Sequence, residues 1–462
     1  MIYDLRFTNS FLNLKSYFIN LLMQFIADFH IHSKYSRATS RDMDLENLDK
    51  WARIKGVDLL GTGDFTHPAW LKELKSKLEP ADPGLFKLRK VNKIKLNNGW
   101  HLPNGEGNGG TDLRFMLTSE ISCIYKKKNK TRKVHIMIFV PSFEAVEKIN
   151  AHLGWIGNLK ADGRPILGLD AKELAKIVLN ISPEAMIVPA HIWTPHFSVF
   201  GSESGFDSLT ECFDEYARYI YALETGLSSD PAMNWRLSGI DNISLISNSD
   251  SHSPHRIGRE ANIFEGKIEG YRYILEALRL GVKAPSSVKN RLAKTIEFFP
   301  AEGKYHYDGH RNCKIVWSPA ETKKHKGICP ACGKRVVIGV MNRVETLADR
   351  PVGGQPARVV PFINLIPLEE IIADAFNMGV GTKKVDAEYQ ELINKFGQEF
   401  KILTELPKEE LLKAGKPEVV EAIIRVREGK VKIYPGYDGE YGKIQIYDDA
   451  ERKSLTKQSA LF

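Results

Sequence analysis

Disulfide chemistry has little material in this sequence. Only five cysteines serve 462 residues; Cys123 and Cys212 stand alone, and Cys313, Cys329 and Cys332 cluster. That excludes a secreted disulfide framework, reads Cys123 and Cys212 as inert core residues, and fits a reducing cytoplasm. Internal repeats and low-complexity tracts are missing. The one long apolar stretch, "FLNLKSYFINLLMQFIA", lacks a cationic lead and a small-residue cleavage site, and Lys15 interrupts it. It is too short and too polar for a membrane span. Residues 1–22 are read as an N-terminal extension, with Met23 as the expected start. Extreme charge is absent as well: a net +8 permits a polyanionic partner without requiring one. With 43% hydrophobic and 26% charged residues, the chain is an ordinary globular one of two to four domains.

From 23 to 285, short apolar runs alternate with amphipathic segments. "VDLLGTGDF", "RFMLTSEISCI", "VHIMIFVP", "AMIVPAH", "IYALETG" and "ISLISNSDSH" predict buried strands. "DLENLDKWARIKG", "AKELAKIVLNIS" and "YRYILEALRLG" predict helices. Such alternation argues for a parallel α/β sheet or barrel. Residues 286–305 read as a basic, uneven connection; 286–350 are expected to form a linker and a zinc-binding module. After the Gly/Pro-rich "RPVGGQPARVVP", residues 351–462 read as a mainly helical C-terminal domain ending in a strand pair.

The chemistry sits where the strands end. "FIADFHIHSKYS" follows a buried run with His30 and His32, two imidazoles aimed the same way from extended backbone. Asp64, Glu120, His135, His191, Asp250 and His252 follow the other runs. Singly, each is more often a hydrogen-bonded core group or a helix cap. Together they are all metal-ligand types at the end of a barrel where active sites form. A dry core would not gather so many ionisable groups without cations to offset their repulsion.

This series, "DFHIHS", "GTGD", "E", "VH", "PAH", "SNSDSH", resembles the polymerase-and-histidinol-phosphatase (PHP) family of metal-dependent phosphoesterases. The resemblance implies a distorted (β/α)7 barrel with a two- or three-metal site. It implies that His30, His32, Glu120 and Asp250 share metals, with His135, His191 and His252 completing the shells. Asp64 matches the second family motif; Phe65 stands where that motif has histidine, so His67 is taken as the substitute. Ala38 stands near another family histidine. The implied metals are zinc, manganese or magnesium, and a histidine-rich shell favours zinc, manganese or iron over magnesium.

"GHRNC" and "GICPACGK" give His310, Cys313, Cys329 and Cys332 the spacing of one structural zinc. His306 and His325 are alternatives for the fourth ligand. No thioredoxin-like context supports a redox reading. The module is expected to hold itself together through zinc and to present Arg311, Lys314 and Lys334 to DNA.

Two enzymes fit a PHP barrel: a phosphatase for a small phosphate ester, and a nuclease. A non-catalytic DNA-binding scaffold would not need the full ligand set. The zinc module and the basic hairpin "YKKKNKTRK", with Lys126, Lys127 and Arg132 as candidate phosphate contacts, favour the nuclease. "PAHIWTPHFSVF", "ALETGLSSD", "SNSDSHSPHRIGRE" and "YHYDGHRNC…CPACGK" resemble the endonuclease Q family of PHP-type DNA repair enzymes. That resemblance implies nicking on the 5′ side of hypoxanthine, uracil, xanthine and abasic sites. It implies catalytic roles for Asp230 and the nearby Glu224, beside Asp64. Damaged DNA is the implied partner, with a sliding clamp or other repair proteins beyond it and no membrane. Reading a damaged base requires taking it out of the stack, so Trp193, Phe197 and Phe200 are offered as its pocket or wedge, against ordinary core packing. The insertion 82–112, with Trp100, is either a DNA-contacting flap or a surface loop.

Overall fold

The apolar run at 25–27 forms the first strand of the barrel, β1 (Gln24–Asp28). It is followed by β2 (Leu59–Gly61), β3 (Leu78–Pro80), β4 (Phe86–Leu88), β5 (Arg114–Lys127), β6 (Lys130–Val140), β7 (Ile166–Leu167), β8 (Met186–Pro189), β9 (Ala222–Glu224), β10 (Ser244–Ile246), β11 (Ala261–Glu265) and β12 (Arg291–Glu297). The computed structural model describes residues 23–94, 100, 112–284, 288, 290–448 and 450–452. The expected extension 1–22 and the glycine-rich part of the 82–112 insertion lie outside them.

Seven strands close the barrel. β1 pairs in parallel with β2 and β2 with β5. β5 and β6 form a long antiparallel hairpin, and β8 runs antiparallel to β6. β8 abuts β9 through an Ile187–Ile220 bridge, β9 pairs in parallel with β10, and an Ile31–Ser251 bridge returns to β1. The antiparallel hairpin is the distortion of the barrel: Lys128 and Asn129 take left-handed φ values of 50° and 60°, which turns the chain in two residues. Phe25, Ala27, Phe29, Met116, Met137, Val188 and Ile246 fill the interior. Helices Leu45–Lys55, Ala171–Ile181 and Tyr271–Leu280 cover the outside, as their periodicity predicts. The first two start at Asp44 and Asp170, whose carboxylates accept the Asn47 and Lys172 N–H groups.

The connection read at 286–305 is in fact structured. It contains β12, antiparallel to β11, which is itself antiparallel to β1. Lys294, Thr295 and Glu297 hid the strand; Thr295 and Glu297 are buried, Glu297 accepting the Thr225 hydroxyl at 2.8 Å, and β15 (Phe362–Asn364) pairs with β12 in parallel. Between those two strands lies the cysteine-bearing module, built on a hairpin of β13 (Asp308–His310) with β14 (Ile315–Trp317). After β15, helices Leu368–Phe376, Lys383–Phe396, Glu399–Thr404 and Pro417–Arg427 form the C-terminal region, and Lys432–Tyr434 pairs with Lys443–Gln445. Among the described residues, no helix is long and apolar enough to cross a membrane.

Candidate metal centre

β1 ends at Asp28, so His30 and His32 lie on its extended continuation, their rings 5.3 Å apart. A buried carboxylate stands behind each ring. Glu224 accepts from His30 Nδ1 at 3.0 Å, from the His191 N–H at 2.8 Å and from the Asn248 side chain at 2.9 Å. Asp64 accepts from His32 Nδ1 at 3.0 Å, from the Ser33 N–H at 2.6 Å and from the Ser33 and Ser36 hydroxyls at 2.7 and 2.9 Å. Gly163 lies against this carboxylate, where a Cβ would come within 2.3 Å of Asp64 Oδ2. Both carboxylates are thus spent on orientation. They fix each imidazole with Nε2 facing the barrel mouth, the support that metal-ligating histidines require.

The two Nε2 atoms meet Asp250 and Glu120. His32 Nε2 is 3.1 Å from Asp250 Oδ1 and 3.4 Å from Glu120 Oε2; His30 Nε2 is 3.7 and 3.5 Å from the same two oxygens. His30 Nε2, His32 Nε2 and Asp250 Oδ1 are buried and have no hydrogen-bond partner. Convergent orphaned lone pairs of this kind fit a cation. On the other side of Glu120, Oε1 lies 2.9 Å from His135 Nδ1 and 3.1 Å from His191 Nε2. Those two nitrogens are 3.2 Å apart. Three groupings could therefore hold ions: His30–His32–Glu120, His32–Asp250–His252 and Glu120–His135–His191. Asp64, His191 and Asp250 all have left-handed backbone, with φ of 48°, 29° and 45°. Such strain clusters at functional sites. Here it turns the chain sharply away after a strand.

Charge at the centre is finely balanced. Burial opposes protonation of His30 and His32, yet Glu224 and Glu120 hold the first, and Asp64 and Asp250 the second, well above the usual imidazole range. Burial likewise works against the Glu120 and Asp250 carboxylates, but His135, Arg164 and His30 keep Glu120 well below the usual range, and His30 and His32 do so for Asp250. Burial takes His135 down to about 4. Protons on His30 and His32 occupy the place that cations would take, so ion binding and proton release are linked.

Several expected residues stand elsewhere. Asp64 and Glu224 orient ligands and belong to none of the groupings, although one was expected on a metal and both were expected in catalysis. His67 stacks on Tyr35 at 4.5 Å, at the start of the helix Pro68–Lys77, and also lies outside them. Asp230 begins the helix Pro231–Asn234, accepting the Met233 N–H at 2.8 Å, and burial raises its pKa. Trp193 and Phe200, each 1% exposed, pack on one another, and Trp193 donates to Asn234 Oδ1 at 2.7 Å. They are core, not pocket, because that hydrogen bond and the packing consume both rings. Phe197 is half-buried and faces the centre, 4.7 Å from the His135 ring. Arg132 is buried over the Phe206 ring and bonds the Gly205 carbonyl; Lys127 is held by Asp214 and the Cys212 carbonyl, each at 3.0 Å. Of the three candidate phosphate contacts only Lys126 is exposed. Arg164 went unforeseen. Its Nη1 sits 3.0 Å from Glu120 Oε2, yet in sequence it is one basic residue of a loop. Trp100 packs against Trp51 and Tyr389 and joins the C-terminal helices to the barrel.

In the second site, His310, Cys313, Cys329 and Cys332 bring one ligand atom each within 4.8 Å of the others. Gly333, at φ 71°, turns the knuckle, and Trp317 and Val336 pack on Cys329. Burial raises the Cys329 thiol, but hydrogen bonds from His310 and the Ala331 and Cys332 amides outweigh it and bring it to about 6. His325 instead stacks on Trp317, and His306 on Tyr307, outside the grouping.

A seven-stranded barrel whose mouth gathers imidazoles and carboxylates in this pattern is a metal-dependent phosphoesterase of the PHP class. The whole chain narrows the class. It is similar to PfuEndoQ, the lesion-specific endonuclease of Pyrococcus furiosus, with 31% identity and a TM-score of 0.77 over 94% of this chain and 99% of that one. It is as similar to an endonuclease Q solved with a 27-mer duplex carrying an abasic lesion at the active site: 31% identity, TM-score 0.76, 93% and 98% covered. The chain belongs to the endonuclease Q family and is a hydrolase. YqxK of Bacillus subtilis is 27% identical over 434 residues, 91% of this chain and 98% of that one. MJ0043 of Methanocaldococcus jannaschii is 35% identical over 257 residues, which span 55% of this chain and only 31% of that protein. Residues 367–430 match the family described as the MJ0043 C-terminal domain.

Proposed function

We propose that this protein nicks DNA at damaged nucleotides, on the 5′ side of abasic sites and of hypoxanthine, uracil and xanthine. The observation that carries this reading is the likeness, over nearly the whole chain, to lesion-specific endonuclease Q, joined to buried ligand atoms that have no partner but a cation. Zinc or manganese fits the imidazole-rich shell, and such ions supply Lewis acidity toward a phosphoryl oxygen and a water of lowered pKa. The chain's own residues do the rest. Glu224 and Asp64 lock His30 and His32 into one orientation. Glu120 faces both halves of the centre and is held by Arg164, which is also placed to receive a phosphate oxygen. Asp230, the acid that the family resemblance singles out, is assigned the proton that goes to the leaving oxygen. Phe197 beside His135 is the aromatic group offered to an extruded nucleotide. The barrel 23–285 cuts; the zinc module in 286–350 and the helices of 351–462 hold the duplex. A DNA substrate and cysteines without disulfides support a cytoplasmic location.

The test is a nicking assay on a labelled duplex with one abasic site, hypoxanthine or uracil, with manganese, magnesium or zinc, beside the His30→Ala protein. A single cut 5′ of the lesion, lost in the variant, is the expected result. Turnover of a small phosphate ester with no cut in any duplex would overturn it.

A further inference from the structure

The rim of the barrel mouth carries a feature that the metal centre does not use. Loop 154–165 runs from the helix Phe143–Leu153 to β7, and it is pinned at both ends. At the inner end Arg164 holds Glu120, the Gly163 N–H donates to the Tyr35 carbonyl at 3.0 Å, and Asp162 accepts the Arg37 and Arg164 N–H groups at 3.3 and 3.1 Å. At the outer end the Ile156 and Gly157 N–H groups donate to the Leu153 carbonyl at 2.9 and 3.1 Å, and Leu159 is buried. On this fixed frame Trp155 stands 92% exposed. Lys160 on the same loop is exposed, and on the facing loop the Arg37 side chain is 80% exposed, with its Nε 3.4 Å from Asp162 Oδ2.

A rigid backbone that leaves a whole indole in water gains nothing for folding. Tryptophan is the residue most able to supply contact area at low entropic cost, and it is enriched at the centre of binding surfaces. The company it keeps selects the partner. An exposed flat ring on a loop that also carries an exposed lysine suits a polyanion that also offers flat rings, which is nucleic acid. The loop's other end holds Glu120 through Arg164, so one loop joins the indole to the centre.

We propose that Trp155 is a DNA-binding residue that stacks on a base beside the cleaved phosphodiester. This rests on the nuclease reading given above. The experiment compares wild type with Trp155→Ala and Trp155→Phe, using a fluorescein-labelled duplex with one abasic site and calcium in place of the catalytic metal. Trp155→Ala is expected to weaken binding on the order of tenfold or more, and Trp155→Phe to keep most of it, the size that base stacking on an aromatic ring supplies. The indole emission present in wild type and missing from Trp155→Phe is expected to be quenched as DNA is added. All three proteins are expected to melt together, because the side chain packs on nothing. Equal affinity for wild type and Trp155→Ala, with unquenched emission, overturns the assignment while the nuclease stands. A wild-type protein that neither binds nor nicks the duplex overturns both.

Discussion

At the scale of single residues, the centre divides its carboxylates by what stands in front of them. Asp230 is the clearest case for test, because its two roles can be separated. Asparagine caps a helix as well as aspartate does. Asp230→Asn should therefore keep the start of Pro231–Asn234 and the melting temperature, while single-turnover nicking falls by about 10²–10⁴-fold if the acid carries a proton. Unchanged nicking would leave Asp230 a cap. Glu224→Gln places an amide against His30 Nδ1 and is expected to weaken metal binding by about 10–100-fold in a calorimetric titration. Asp58 offers a pH signature away from the metals. Burial raises its carboxyl to about 6, against one opposing hydrogen bond from the Ile26 N–H at 2.9 Å. The unfolded value lies near 4, so the folded chain holds this proton more tightly. The carboxylate costs stability in full above pH 6, and the cost fades as pH falls from about 6 to about 4. Asp58→Asn should raise denaturant stability by about 2 kcal/mol at pH 8 and by nothing at pH 4; a gain independent of pH would sink this account. The ligand types at strand ends were legible in the sequence. Which of them face a cation was not, since Asp64 and Asp250 look alike until the chain places one behind an imidazole and the other before it.

At the scale of elements, the alternation of apolar runs located the barrel strands well, because each carries a run of residues buried on both faces. β12 escaped because its Lys294, Thr295 and Glu297 are polar, and the partner that lets Glu297 be buried, the Thr225 hydroxyl, is remote in sequence. The aromatic loop after His191 misled for a related reason: sequence gives ring content, not which rings face inward. The basic hairpin splits in the same way. Arg132→Ala is expected to lower the unfolding midpoint, since it strips a buried guanidinium from Phe206 and the Gly205 carbonyl, and to leave the salt dependence of DNA binding unaltered. Lys126→Ala should do the reverse, with a shallower salt slope and an unmoved midpoint. An Arg132→Ala protein of wild-type stability and weakened DNA affinity would restore the phosphate role that its burial denies.

At the scale of the molecule, the C-terminal helices are joined to the barrel by a buried ion pair. Lys55 Nζ lies 2.6 Å from Glu399, which also accepts the Tyr389 hydroxyl at 2.5 Å and the Leu368 N–H at 3.0 Å. Lys55→Met strands that carboxylate and is expected to cost about 3–5 kcal/mol, whereas Lys55→Met with Glu399→Leu should recover part of the loss. The check is denaturant unfolding together with limited proteolysis, which should release the segment beyond β15 sooner in the single variant. A single variant as resistant as wild type would mean that the docking depends on Trp51, Trp100 and Tyr389 alone. None of this was visible in the sequence, where Lys55 and Glu399 are two charges 344 residues apart.

The parallel pairing of β12 with β15 has a mechanical meaning. The chain leaves the sheet after β12, builds the cysteine module, and comes back to the adjacent row of the same sheet. A module hung from one linker samples a volume set by that linker's length. This one is gripped at both feet, like the handle of a cup. Its two points of attachment to the sheet are a constant of the architecture. Lengthening residues 350–361 would then leave its reach nearly unchanged, and a protease nick inside the module would leave both halves still attached to the barrel sheet.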